Sequence, residues 1–130
     1  MKTLAFGEIL WDVIDGKEHI GGAPFNLASH LAKLGADSAI VSALGDDDRG
    51  KRAMEMVKSM GLRTSFVETS GDLPTGVVMV ELDGAGKPTY DIREGSAWDR
   101  IELSGVQIEA IEKEEWDIPV SYTHLRAHET

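Results

Sequence analysis

Apolar residues fall along the chain in short runs divided by glycine-containing turns, and the spacing within the runs changes along the sequence. Lys2–Gly7 is a brief apolar run ending in Gly, the pattern of a buried strand. Leu10–Ile14 and His19–Ile20 flank Asp15-Gly16-Lys17, residue types that tolerate left-handed backbone, so a small hairpin follows. Gly21-Gly22-Ala23-Pro24 then opens a helix, because proline in a first turn sacrifices no hydrogen bond. Leu27, Ala28, Leu31, Ala32 and Leu34 recur at helical spacing, and Gly35 is placed to end the helix. Ser38–Leu44 reads as a second buried strand. Gly45-Asp46-Asp47-Asp48 leads into a second helix with Ala53, Met56, Val57 and Met60 on its apolar face and Gly61 as its stop. Strand, helix, strand, helix is the order of a parallel sheet covered by helices.

Past Gly61 the pattern becomes β-like. Thr64–Thr69, Thr75–Leu82 and Pro88–Arg93 read as strands, the last two joined by Asp83-Gly84-Ala85-Gly86. An antiparallel block inside an α/β unit predicts a flap or lid, with strands at about 11–20 and 64–93. Ser104–Glu115 resembles an amphipathic helix carrying Val106, Ile108 and Ile111. Its acidic run Glu112-Lys113-Glu114-Glu115 reads as a solvated face, and Trp116-Asp117-Ile118 starts another strand.

Composition narrows the functions. With 13 Lys and Arg against 23 Asp and Glu, the net charge of −10 argues against nucleic acid as partner. The chain has no cysteine, which excludes a disulfide framework, a zinc–thiolate site and a cysteine nucleophile. Glu8 and Asp12 interrupt the early apolar run before a signal-peptide core forms, and no stretch reaches the ~20 apolar residues of a membrane span. These features point to a soluble, cytoplasmic chain with no membrane partner.

The last eleven residues, Val120–Thr130 (VSYTHLRAHET), have neither apolar period nor turn grammar. His124 and His128, four apart, would share a helix face and suit a metal. The segment also reads, in register, as a translation of the transposase-end adapter used in short-read sequencing. On that reading residues 120–130 are not native, and 1–119 are the N-terminal part of a longer domain.

For chemistry, Gly21–Gly45 is the informative stretch. Gly21 and Gly22 let backbone approach a ligand beside a helix N-terminus. Asn26 carries both donor and acceptor atoms, and the Asp12 carboxylate accepts two hydroxyl hydrogen bonds. Together these residues suit a polyol at the edge of a parallel sheet. The plainer roles are Asp12 as turn former and Asn26 as helix-end residue. There is no Walker loop, and Gly84-Ala85-Gly86-Lys87 sits between two β runs as a hairpin turn. His30 has no partner ligands for a metal, and Asp46–Asp48 lack the spacing of an EF-hand.

Gly21-Gly22-Ala23-Pro24-Phe25-Asn26-Leu27-Ala28, with Gly35 and Gly45 beyond it, resembles the first signature of the ribokinase-like (PfkB) sugar kinases. Gly7-Glu8-Ile9-Leu10-Trp11-Asp12, Pro74-Thr75-Gly76-Val77, Gly86-Lys87-Pro88-Thr89-Tyr90 and Ala97-Trp98-Asp99 resemble the fructokinase branch. The resemblance covers residues 3–117 and implies a truncated ribokinase-like Rossmann-type core with a small inserted β-sheet lid. It implies sugar contacts from Asp12, Gly21, Gly22 and Asn26. Tyr90 and Trp98 either flank the sugar or fill the lid core, and Gly45, Asp47 and Gly50 serve as ligand turn or helix cap. It implies transfer of a phosphoryl group from ATP, with Mg2+, to a hydroxyl of a fructose-like sugar. Ribose, a keto-deoxy sugar acid or a nucleoside are the alternatives, as is a sugar-binding module without catalysis. The family's base, in a Gly-Ala-Gly-Asp motif, and most of its ATP site lie in a C-terminal half that this sequence lacks. The chain is therefore expected to be inactive, with no catalytic residue of its own, and to expose an unpaired sheet edge that lowers its solubility. Lids in this family pair between subunits, which makes a homodimer of the full-length protein an expectation too.

Overall fold

The computed structural model describes residues 1–92 and 95–121, so the expectations for Arg93, His124 and His128 lie outside the described residues. Its strands are β1 (Lys2–Phe6), β2 (Leu10–Ile14), β3 (Lys17–Gly21), β4 (Asp37–Gly45), β5 (Val67–Ser70), β6 (Gly76–Leu82), β7 (Pro88–Ile92) and β8 (Ile118–Ser121). Helices α1 (Ala23–Lys33) and α2 (Asp48–Ser59) follow β3 and β4, and α3 (Gly105–Lys113) precedes β8; a 3-10 turn spans Ala97–Arg100.

Four parallel strands in the order β5-β4-β1-β8 form the core sheet. Central β4 is buried from Ser38 to Gly45, which is why it reads as an unbroken run rather than an alternation. Ile40 and Leu44 point to one side, into a core with Phe25 and Ala28 of α1 and Ala53 and Val57 of α2. Ala39 and Val41 point to the other, where Phe66, Ala110, Ile111 and Trp116 pack. Helices thus cover both faces. Burying Phe25 alone, 1% exposed, contributes about 1.5–3 kcal/mol.

The second sheet, β3-β2-β6-β7, is the lid. Asp15 (φ 49°) and Gly16 (φ 73°) form the two-residue turn between β2 and β3, where Ile14 pairs with Lys17. Positive φ at both positions gives the turn a twist that matches the strands. β6 and β7 form the second hairpin, but β2 and β6 join in parallel, Leu10 against Gly76 and Ile14 against Val80. The lid is bolted to the N-terminal turns of α2. Trp11 Nε1 donates to the Arg49 carbonyl (2.9 Å), Arg49 Nε donates to Glu18 Oε1 (2.7 Å), and the Arg52 guanidinium lies 4.8 Å from the centre of the Trp11 ring.

Several expectations are corrected. Residues 64–69 do not belong to the lid: β5 extends the core sheet, with Ser42 beside Val67. Four residues are too few for alternation to distinguish a lid strand from a core-edge strand. Leu27 and Leu34 are exposed, because α1 turns its Phe25–Ala28–Ser29 side to the sheet, where small residues let the helix approach closely. Val106 and Ile108 are exposed as well. Glu114 is not simply solvated: it takes two hydrogen bonds from Arg63, of 2.9 and 2.8 Å, and pairs with Lys2. Arg63 holds its carboxyl down at about 2. Finally, β8 runs through Val120 and Ser121, which pair with Ala5 and Phe6. Main-chain pairing of this kind makes no demand on side-chain identity.

Candidate functional site

The lid hangs from the C-terminal edge of the core sheet, because β1 runs through Gly7-Glu8-Ile9 directly into β2. Ligands of open α/β sheets bind at that edge. Strand alternation decides what the lid presents there. Leu10, Asp12 and Ile14 share one face of β2 with Gly76, Val78 and Val80 of β6, while Trp11 and Val13 point the other way. The pairing of Val80 with Tyr90 brings Tyr90 onto the first face.

Asp12 is half-buried, and its carboxylate lies against Gly21: a Cβ on Gly21 would fall 2.6 Å from Asp12 Oδ2. A side chain at that position would push the acid aside, so glycine leaves it room. Burial pushes the Asp12 carboxyl up, partly offset by the charge of His19. Gly22 caps α1 at φ 112° and presses against the Glu8 carbonyl, so both its backbone angle and the space around it exclude a side chain. Asn26, exposed, donates its backbone N–H to the Gly22 carbonyl (2.8 Å). Its side chain borders a cavity of about 280 Å³ shared with Ile20, Phe25, Ser29 and His30. Asp12 does not line that cavity, so Asn26 joins the site through Gly22 and not across the lid face.

The two aromatics separate. Trp98 is 4% exposed and covers Gly76, where a Cβ would fall 2.9 Å from its Cδ1. It closes over the Leu10 end of the face, beside Gly76. Tyr90 is 63% exposed on the same face, two strands from Asp12.

Gly45, Asp47 and Gly50 form a knot. Asp47 Oδ1 accepts from Gly50 N (2.8 Å) and Thr75 Oγ1 (2.6 Å), and Asp47 Oδ2 accepts from Thr75 N (3.0 Å). Gly45 N donates to Thr75 Oγ1 (2.8 Å). One carboxylate thus caps α2 and anchors the residue before β6. Burial pushes Asp47 up, but the Thr75 and Gly50 hydrogen bonds and Arg49 outweigh it, and its carboxyl lies below the ordinary value. The helix-cap role is the one these contacts describe. His19, which the sequence reading passed over, lies directly opposite Asp12. Counting back from a two-residue Asp-Gly turn pairs the two residues, so the signal was available in the sequence.

The sequence profile of the pfkB family carbohydrate kinases matches residues 2–115. The chain belongs to this family. It is 28% identical over 120 residues to a sugar kinase of Pyrococcus horikoshii, an alignment covering 84% of this chain and 38% of that protein. It is 29% identical over 94 residues to a fructokinase of Klebsiella pneumoniae, covering 68% of this chain and 31% of that one. The crystal structure of the uncharacterized sugar kinase from Pyrococcus horikoshii superposes with a TM-score of 0.83 at 25% identity, over 98% of this chain and 46% of that chain. That protein has also been crystallised in complex with ATP. The chain therefore spans less than half the length of these pfkB relatives. Its α/β core with the four-stranded lid is the corresponding portion of their fold.

Proposed function

We propose that this chain is the sugar-binding portion of an ATP-dependent kinase that phosphorylates a hydroxyl of a fructose-like sugar. The observation that carries the reading is the lid face on which the Asp12 carboxylate lies against Gly21, beside the Gly22 end of α1, with Tyr90 further along the same face. A half-buried carboxylate over a glycine, next to unsatisfied helix N–H groups, suits the adjacent hydroxyls of a polyol. Relatives named fructokinase, aminoimidazole riboside kinase and 2-dehydro-3-deoxygluconokinase support a sugar or sugar-like substrate. The fructokinase-like run Gly7–Asp12 favours fructose among them.

The cavity bordering β5 is a poor host for a nucleoside triphosphate. This cavity, of about 240 Å³, sets Glu68, Asp72 and Glu102 against Arg100, an excess of carboxylate that repels phosphate. The chain's part in the reaction is to hold and orient the sugar, and on its own it transfers no phosphoryl group. Among the described residues no helix is long and apolar enough to cross a membrane, and we place the protein in the cytoplasm.

Calorimetric titration of the chain with fructose, ribose, 2-dehydro-3-deoxygluconate and a purine nucleoside tests the reading. Heat with fructose is expected, weakened at least about tenfold by Asp12→Asn, the worth of one hydrogen bond to a charged acceptor. Binding of the nucleoside alone would move the assignment to another branch of the family. Absence of heat with every sugar at millimolar concentration would remove it.

A further inference from the structure

His19 stands on the edge strand of the lid, directly across from Asp12. Residues so paired in an antiparallel ladder have Cβ atoms about 4.5–5.5 Å apart and point to the same face. His19 is exposed and Asp12 half-buried, so the imidazole is the more open of the pair to solvent. Among the described residues neither side chain is engaged by a hydrogen bond or a close ion pair. The charged groups facing His19 are Asp12 and, two residues back on its own strand, Lys17. Glu18, Arg49 and Arg52 are tied together on the opposite face, beside Trp11. β3 has no further strand on its outer side in this sheet, so the lid brings no other titratable group against it.

We propose that His19 is a ligand-contacting residue that grips a polyol together with Asp12, and that protonation of its ring releases the ligand. The inference rests on the sugar-binding reading of the lid face. A neutral imidazole offers one donor and one acceptor to a hydroxyl, while the carboxylate opposite accepts from the next. Once protonated, the ring has no acceptor left and carries a charge that draws it onto Asp12. It then occupies the carboxylate oxygens that the hydroxyl would use. The lid thereby prefers a ligand with two neighbouring hydroxyls and holds it less tightly in acid.

The test is fructose binding to the 130-residue chain, followed by calorimetry and by the imidazole Cε1–H resonances, from about pH 7.5 to about pH 5.5, a range spanning the ordinary imidazole pKa. Wild type is expected to lose about tenfold in affinity across the range, one charge-assisted hydrogen bond, with the His19 resonance moving on addition of fructose. His19→Gln keeps a donor and an acceptor but cannot titrate, so its affinity is expected to stay flat. Fructose binding with an unmoved His19 resonance, or with the same pH profile in His19→Gln, overturns the role of His19 and leaves the sugar reading standing. No binding at any pH overturns both.

Discussion

Asp47 is the residue whose removal says most about how lid and core are joined. Its carboxylate closes three hydrogen bonds, to Gly50 N, Thr75 Oγ1 and Thr75 N, and all three groups are at least partly buried. Asp47→Ala deletes a helix cap, worth about 1 kcal/mol. It also strands two donors on Thr75 that had a charged acceptor, at about 1 kcal/mol each after water recovers part of the loss. The expected total is about 3 kcal/mol. Asp47→Asn keeps an acceptor for Gly50 but turns an amide toward a Thr75 donor, and about half of the loss is expected. Thr75→Val removes the hydroxyl from the other side, so the double variant should cost at least ~1 kcal/mol less than the two singles together. Urea unfolding followed by tryptophan fluorescence measures each value; with a slope of about 1–3 kcal/mol per molar, the midpoint of Asp47→Ala moves by more than ~1 M. The pH dependence has a definite sign. The folded carboxyl lies below its unfolded value, so its contribution is complete above about pH 4 and is lost as pH falls through the lower folded value. Asp47→Ala should lack that segment of the stability curve. A loss below ~0.5 kcal/mol, or strict additivity with Thr75→Val, would refute the knot as a junction.

Glu114, held at about 2 by Arg63, lends stability above the ordinary carboxylate range that fades as pH drops toward 2. Carboxyl-carbon NMR should find its midpoint there and return it to the ordinary value in Arg63→Ala. Gly22→Ala forces an L side chain to φ 112° and onto the Glu8 carbonyl, so a loss of more than ~2 kcal/mol is expected on thermal melting. Gly35→Ala, at φ 95° in open space, should cost only about 1–2 kcal/mol. We propose that residues 120–130 are translated adapter. Resequencing the source DNA from an adapter-free amplicon should find a reading frame that diverges after codon 119, and a genomic match through codon 130 would retire that proposal.

Where punctuation and period agree, the fold was legible. The hairpin turn at Asp15-Gly16 (read one residue too long, since Lys17 already pairs with Ile14), Pro24 at the head of α1, Gly35 and Gly61 at helix ends and the buried run of β4 each state their conformation locally. The errors came where partners decide. Nothing within residues 67–70 says that they extend the core sheet, because that depends on β4. Leu27 and Leu34 are as apolar as any core residue, and only the docking angle of α1, set by Phe25 and Ala28, leaves them outside. Glu114 looked like one of several surface acids because Arg63 is distant in sequence. The candidate site was half legible. Asp12 and Gly21 follow from residue type and hairpin register, whereas the sorting of Trp98 from Tyr90 required knowing that Gly76 leaves a slot for the indole.

The parallel seam between β2 and β6 also dictates an order of assembly. As the chain leaves the ribosome, the β2–β3 hairpin emerges well before β6, with its β2 edge unsatisfied. Its neighbour is translated only after β4, α2 and β5, so that edge stays bare while the core sheet is already forming. Long-range pairings of this type close late. The lid, whose first hairpin precedes β4 and α2 in the chain, is completed only after them, and Trp11 against α2 is what can keep the waiting hairpin from pairing with another chain.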